Sequence, residues 1–318
     1  KIKKMTSLLR KAAPIAAPAA LLRSAPRWLT AGRQMHMAAT ADTVAQMPPP
    51  GLFVEHQSSS LPLQGATTRV PKLGLSTYLT PPGMATKGAV SHALKEGYRH
   101  IDTSELFKNE RDVGAAIQGS GLDRDQIFIT TRYWHHLGGK DTPQAACRAS
   151  TKRLGVGQTD AYLLYAPKGE TVLLKTWEGM QDAQSSGLAK HVGLSMASLG
   201  DLEAIVRHGM PLPSLVQAPV SPFAPQRDLV QFCGDQNIHL SSLSPLGGAL
   251  SLDNAVVTRI AKRIGQTPSQ VLIRWGIQRG FSCLPKSSSA SHITENYGAL
   301  GFELSEEDMA SLNNLRPK

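Results

Sequence analysis

From Lys72 onward the chain alternates short apolar runs with longer amphipathic ones, and no other feature narrows the fold as far. Runs suited to strands are Lys72–Ser76, Tyr98–Asp102, Ile127–Thr131, Ala161–Tyr165, His191–Ser195, Ser214–Ala218, His239–Leu243 and Cys283–Pro285. Stretches suited to helices lie between them: Lys87–Glu96, Glu110–Gly119, Pro143–Leu154, Leu173–Gly187, Leu199–Gly209, Arg227–Asn237, Asp253–Gly265 and Pro268–Gln278. Strands and helices alternating at this spacing pair in parallel through right-handed crossovers. Eight such strands favour a closed sheet, so the expected class is α/β, a (β/α)8 TIM barrel. A doubly wound open sheet is the alternative, but no Gly-x-Gly-x-x-Gly follows the first strand.

In such a barrel the chemistry collects at the carboxyl ends of the strands. The residues that close the expected strands are Asp102, Arg132, Tyr165, Ser195, Gln217, Ser244 and Lys286. Cys147, Cys233 and Cys283 are far apart and in apolar surroundings, which suits small core residues better than a disulfide framework or a metal site. No metal is expected.

The formal charge of +10 would suggest nucleic acid if it were spread over the chain. Eight of the 34 bases precede the first acid, Asp42, and without them 26 bases face 24 acids, a net of +2. A nearly neutral body argues against nucleic-acid binding. Lys1–Ala41 has no acid and is rich in Arg, Lys, Ala, Ser and Leu. That composition is expected of a mitochondrial transit peptide leading to the matrix, with a disordered basic tail as the alternative. Ala38–Gly51, with Pro48, Pro49 and Pro50, reads as the linker into the folded part, and the division is set at 1–46 for transit peptide and linker and 47–318 for the barrel. No apolar run reaches the length of a membrane span.

The run Gly97-Tyr98-Arg99-His100-Ile101-Asp102-Thr103, followed by Phe107, Asn109 and Glu110, resembles the signature of the aldo-keto reductases. Further runs are similar to that family in the same order: Ile127-Phe128-Ile129-Thr130-Thr131, Gly193-Leu194-Ser195, Ser244-Pro245-Leu246-Gly247, Gln270-Val271-Leu272-Ile273-Arg274-Trp275, Pro285-Lys286-Ser287 and Glu295-Asn296. The likeness covers about residues 70–315. It implies the same barrel, and an NADPH-dependent reduction of aldehydes or ketones.

The resemblance also implies four catalytic positions, and three depart from it. Asp102 is retained, Phe107 stands in place of the tyrosine proton donor, Arg132 in place of a lysine and Tyr165 in place of a histidine. Phenylalanine has no proton to give, and a guanidinium favours bidentate partners over tuning a phenol. An Asp102–Arg132 ion pair of structural role is expected. Tyr165 is a phenol that could donate from a new direction if its pKa fell from about 10 with help from Arg132.

Cofactor positions implied by the resemblance are Thr77, Ser195, Gln217, Ser244, Leu246, Lys286, Ser287, His292, Glu295 and Asn296. Met196 and Leu243 replace an asparagine and an aromatic at the nicotinamide end, and His292 replaces an arginine at the phosphate end. NADP(H) binding is therefore expected to be weakened or lost. The family's tail continues past the last helix, and a chain stopping at Lys318 would leave the mouth open.

Three readings follow. One is an inactive barrel used as a structural or accessory subunit of a mitochondrial assembly, with ribosome, respiratory complex and ATP synthase not separated. The others are a reductase with a rewired proton donor and an NADP(H)-binding sensor.

Overall fold

The computed structural model describes residues 60–63, 69–135, 142–248 and 251–315, all within the unit Phe53–Lys318. The expected transit peptide and linker, residues 1–46, lie outside the described residues. A short antiparallel hairpin, β1 (Ser60–Pro62) with β2 (Arg69–Pro71), comes first. Eight parallel strands then run in consecutive order: β3 (Leu75–Ser76), β4 (His100–Asp102), β5 (Phe128–Tyr133), β6 (Thr159–Tyr165), β7 (Ala189–Ser195), β8 (Leu215–Pro219), β9 (His239–Leu243) and β10 (Ser282–Leu284). The seam between first and last strands is closed by backbone bonds: Gly74 N–H donates to Cys283 O at 2.9 Å, Cys283 N–H to Lys72 O at 2.8 Å and Ser76 N–H to Pro285 O at 3.1 Å. Leu73 bridges Cys283 and Ser76 bridges Lys286 in parallel. The sheet is therefore a closed (β/α)8 barrel, as the alternation predicts.

The outer layer is α1 (Met84–Glu96), α2 (Glu110–Gln118), α3 (Pro143–Leu154), α4 (Glu170–Ser185), α5 (Leu199–Arg207), α6 (Arg227–Asp235), α7 (Ala255–Ile264), α8 (Pro268–Gln278), α9 (Ala290–Tyr297) and α10 (Glu306–Asn313). Local chemistry sets their ends. Thr267 caps α8 through Gln270 N–H, Gln270 returns the bond, and Pro268 supplies the preset first turn. Ser198 and Asp201 form the same reciprocal cap on α5. Gly97, Gly155 and Gly265 end α1, α3 and α7 in the left-handed conformation.

Two apolar clusters fill the space between strands and helices, with Trp177 and Trp275 among the largest buried side chains. Inside the barrel, Leu63 and Val70 of the hairpin segment join Phe128, Ala161, Leu163 and Leu215, closing its amino-terminal end. Gly193 on β7 is required by proximity: a Cβ there would lie 2.2 Å from Leu215 O and 2.8 Å from a Leu163 methyl.

The differences from the expected elements are local. Helix α1 begins at Met84, three residues before the expected start, and α4 begins at Glu170. Strand β5 runs to Tyr133, past the expected end at Thr131, so Arg132 is a strand residue with its backbone in register with Leu163 of β6. The hairpin was not anticipated, since three-residue strands carry too little periodicity to register.

Candidate functional site

Ser76, Asp102, Arg132, Ser195 and Gln217 come from β3, β4, β5, β7 and β8, and their side chains meet at the carboxyl end of the barrel. Asp102 is 0% exposed and Arg132 5% exposed. Arg132 Nη2 donates to both Asp102 oxygens, at 2.6 and 2.7 Å. Asp102 also accepts from Ser76 Oγ at 3.1 Å and from Gln217 Nε2 at 3.0 Å. The rest of the guanidinium is engaged too. Nε donates to Ser195 Oγ (3.2 Å) and Gln217 Oε1 (3.0 Å), Nη2 to Gln217 Oε1 (2.6 Å), and Nη1 to the Thr103 carbonyl (2.9 Å). This is the expected Asp102–Arg132 pair, extended into a buried network. Removing both charges from water is costly, and such a pair holds only when the remaining lone pairs and protons are also satisfied.

Aromatic rings lie over this network. Phe107, on the turn Glu105–Phe107, has its ring centroid 5.6 Å from Arg132 Cζ. Tyr78 meets Phe107 edge-on at 5.3 Å, and Trp134 packs on Tyr165 at 3.9 Å. Phe107 thus provides a π face to the guanidinium and no acidic proton. Burial raises the Tyr165 phenol above its ordinary value, Tyr78 adds to the rise, and Arg132 only partly opposes it. Arg132 makes the contribution expected of it, but desolvation outweighs the nearby cation and the lowering that a rewired donor would need does not occur.

The positions expected to hold a cofactor divide into two groups. Ser195 and Gln217 are bound to Arg132: Gln217 accepts two guanidinium N–H groups on its oxygen and gives one amide N–H to Asp102, so Arg132 and Asp102 already occupy the oxygen and one of the two N–H groups of that amide. Thr77 is buried and its hydroxyl lies against Thr103 and Asn109, while Asn109 Nδ2 donates to the carbonyls of Thr77 and Thr80, so this cluster braces the loop after β3. Met196, beside Ser195, takes the left-handed conformation with φ 59°.

At the other end, Ser244 is exposed with φ 57° and Leu246 packs partly into the outer core. Lys286 and His292 are exposed. Ser287 is buried in its own turn, accepting from Ser289 N–H at 3.1 Å. Glu295 accepts from the Thr267 cap at 2.7 Å, and Asn296 is buried on α9. This end keeps Lys286 near a helix start, an arrangement that suits a phosphate, though Ser287 and Glu295 already serve the fold.

Ser76 was missed in the sequence, although it closes the first strand and faces the retained aspartate. The three cysteines are buried thiols raised by desolvation, Cys147 and Cys233 to about 12, so they are inert packing residues. Among the described residues no cluster of three or more His, Cys, Asp or Glu is placed to hold a metal ion, and no helix is long and apolar enough to cross a membrane.

Known proteins agree with this geometry at the level of the fold and family. The profile of the Aldo/keto reductase family matches residues 83–317. The 9,11-endoperoxide prostaglandin H2 reductase of Trypanosoma cruzi is 34% identical over 252 residues, covering 78% of this chain and 89% of that protein. The glycerol 2-dehydrogenase (NADP(+)) of Saccharomyces cerevisiae is 35% identical over 294 residues, covering 82% and 92%. The crystal structure of an aldo/keto reductase from Brucella melitensis superposes with a TM-score of 0.75 at 32% identity, covering 80% of this chain and 98% of that one. With the family profile, the barrel and these relatives in agreement, the chain belongs to the aldo/keto reductase family.

Proposed function

We propose that this barrel is a catalytically silent aldo/keto reductase that serves as a structural or accessory subunit of a protein assembly in the mitochondrial matrix. The observation that carries the reading is the closed network of Arg132. Its guanidinium is bound to Asp102, Ser195 and Gln217, the groups that would otherwise face cofactor and donor. Carbonyl reduction needs a proton delivered to the oxygen as charge develops there. Phe107 has none, and the Tyr165 phenol is held above its ordinary pKa by burial. Loss of a general acid alone costs about 10²–10⁴ in rate. The matrix location rests on the acid-free basic segment Lys1–Ala41.

The test is a two-part assay on the full chain: titration with NADPH and NADP⁺, then NADPH oxidation over a broad panel of aldehydes and ketones. Turnover indistinguishable from a protein-free control is expected. Turnover that falls in Tyr165→Phe would instead establish a rewired reductase.

The exposed Lys286 and His292 near the start of α9 favour a second reading, a sensor that takes the phosphate end of NADP(H) without chemistry. It requires binding that weakens sharply in Lys286→Ala.

A further inference from the structure

The exposed large apolar side chains among the described residues are Tyr78 (37% exposed), Leu79 (55%), Met84 (81%) and Met196 (38%). All four follow the carboxyl ends of strands: three lie on the segment between β3 and the first turn of α1, and Met196 directly follows β7. Tyr78 joins the aromatic layer over Arg132, Leu79 neighbours Tyr78 in sequence, and Met196 neighbours Ser195. Tyr78 touches Phe107, Trp134 touches Tyr165, and Tyr165 is in register with Ser195 beside Met196. Apolar surface gathered at one end of a fold marks an interaction site.

The backbone gives a second, independent sign. Leu79 has φ 52° and Met196 φ 59°. Large side chains rarely take the left-handed region, and Gly or Asn would relieve the strain at both positions. Here strained backbone holds apolar side chains toward water, an arrangement that harms stability twice and persists where it serves binding.

Charge narrows the occupant. The loops following the strands carry Lys108, Lys168 and Lys286, all exposed, and none makes an ion pair among the described residues. Among the described residues of those loops the acids are Glu105, taken by Arg153 at 3.4 Å, and Asp253 on the loop after β9, and the exposed Glu170 that opens α4 is held by Arg207. The mouth is thus an apolar, aromatic floor inside a basic rim.

We propose that the barrel mouth docks a segment of a partner protein in which apolar side chains are flanked by carboxylates. The proposal rests on the reading that the mouth is not engaged in carbonyl reduction. Aromatic and aliphatic side chains of the partner would cover Tyr78, Leu79 and Met196, and its carboxylates would meet Lys108 and Lys168.

The test pans a phage-displayed library of random linear peptides against the full chain and measures the leading synthetic peptide by fluorescence anisotropy. Enriched peptides should combine aromatic or aliphatic residues with Asp or Glu, and binding should weaken with added salt. Affinity should fall about tenfold or more in the double variant Leu79→Asn, Met196→Asn, and likewise in Lys108→Glu, Lys168→Glu. Asn suits left-handed backbone, so the first variant remains folded and its melting temperature checks that. Lys95→Glu, at the far end of α1, should leave binding unchanged. Absence of enrichment over a bare support, or binding indifferent to both double variants, would overturn the proposal. So would concentration-dependent self-association that the same variants abolish, because the occupant would then be a second copy. Aldehyde turnover by the unaltered chain bears on the silent-enzyme reading alone, so the two failures are separable.

Discussion

The Arg132–Asp102 pair makes a quantitative test of whether the network at the strand ends supports the fold. Arg132→Met keeps the length of the side chain and removes its charge. Asp102, 0% exposed, would keep donors only from Ser76 at 3.1 Å and Gln217 at 3.0 Å. Breaking a buried pair from one side costs about 3–5 kcal/mol. The penalty for Arg132→Met is therefore about 3–5 kcal/mol. Asp102→Asn leaves the buried guanidinium without its carboxylate and should cost at least as much, about 4–5 kcal/mol. The double variant removes both charges and should cost well under the sum, with a coupling of about 3 kcal/mol. Urea unfolding of the four proteins, followed by circular dichroism, gives the cycle. A cost below about 1 kcal/mol for Arg132→Met, or strict additivity in the double variant, would refute the structural role.

Other consequences are open to the same methods. His100 and His239 are fully buried and depressed by desolvation to about 4 and about 3, so the folded chain resists protons that the unfolded chain takes up below about 6.5. Their contribution is present above that pH and is lost as pH falls, about 2 kcal/mol for each between pH 7 and pH 5, and His239→Gln should flatten the pH dependence of the urea midpoint. Met196→Asn should raise stability by about 0.5–1 kcal/mol by relieving a bulky residue at φ 59°, and an unchanged or lower melting temperature would contradict the strain argument. Gly193→Ala should cost more than about 2 kcal/mol, because the new methyl would meet Leu215 O, a backbone atom of the neighbouring strand that cannot swing aside.

The legible part of the fold was the part with long periods. Seven-residue β6 and sixteen-residue α4 carry enough pattern to be found in sequence, and their expected and observed ends differ by only a few residues. The hairpin β1–β2 is three residues a side and owes its place to Leu63 and Val70 meeting Phe128 and Leu215 from distant strands. No local window contains that information. At the mouth, the types at the strand ends were legible, including the aspartate, the arginine and the missing phenol. Ser76 escaped notice because a serine at a strand end has no chemical signature until a carboxylate stands opposite it.

The chain by itself determined that a parallel barrel forms and that Phe107 offers no proton, since the first follows from periodicity and the second from the atoms of one side chain. Tertiary structure decided what Arg132 does. Its partners Ser195 and Gln217 lie 63 and 85 residues further along, and only barrel closure and strand register bring three such strand ends within one guanidinium's reach. The direction of the Tyr165 pKa was settled the same way, because desolvation is a property of the surroundings and not of the sequence neighbours.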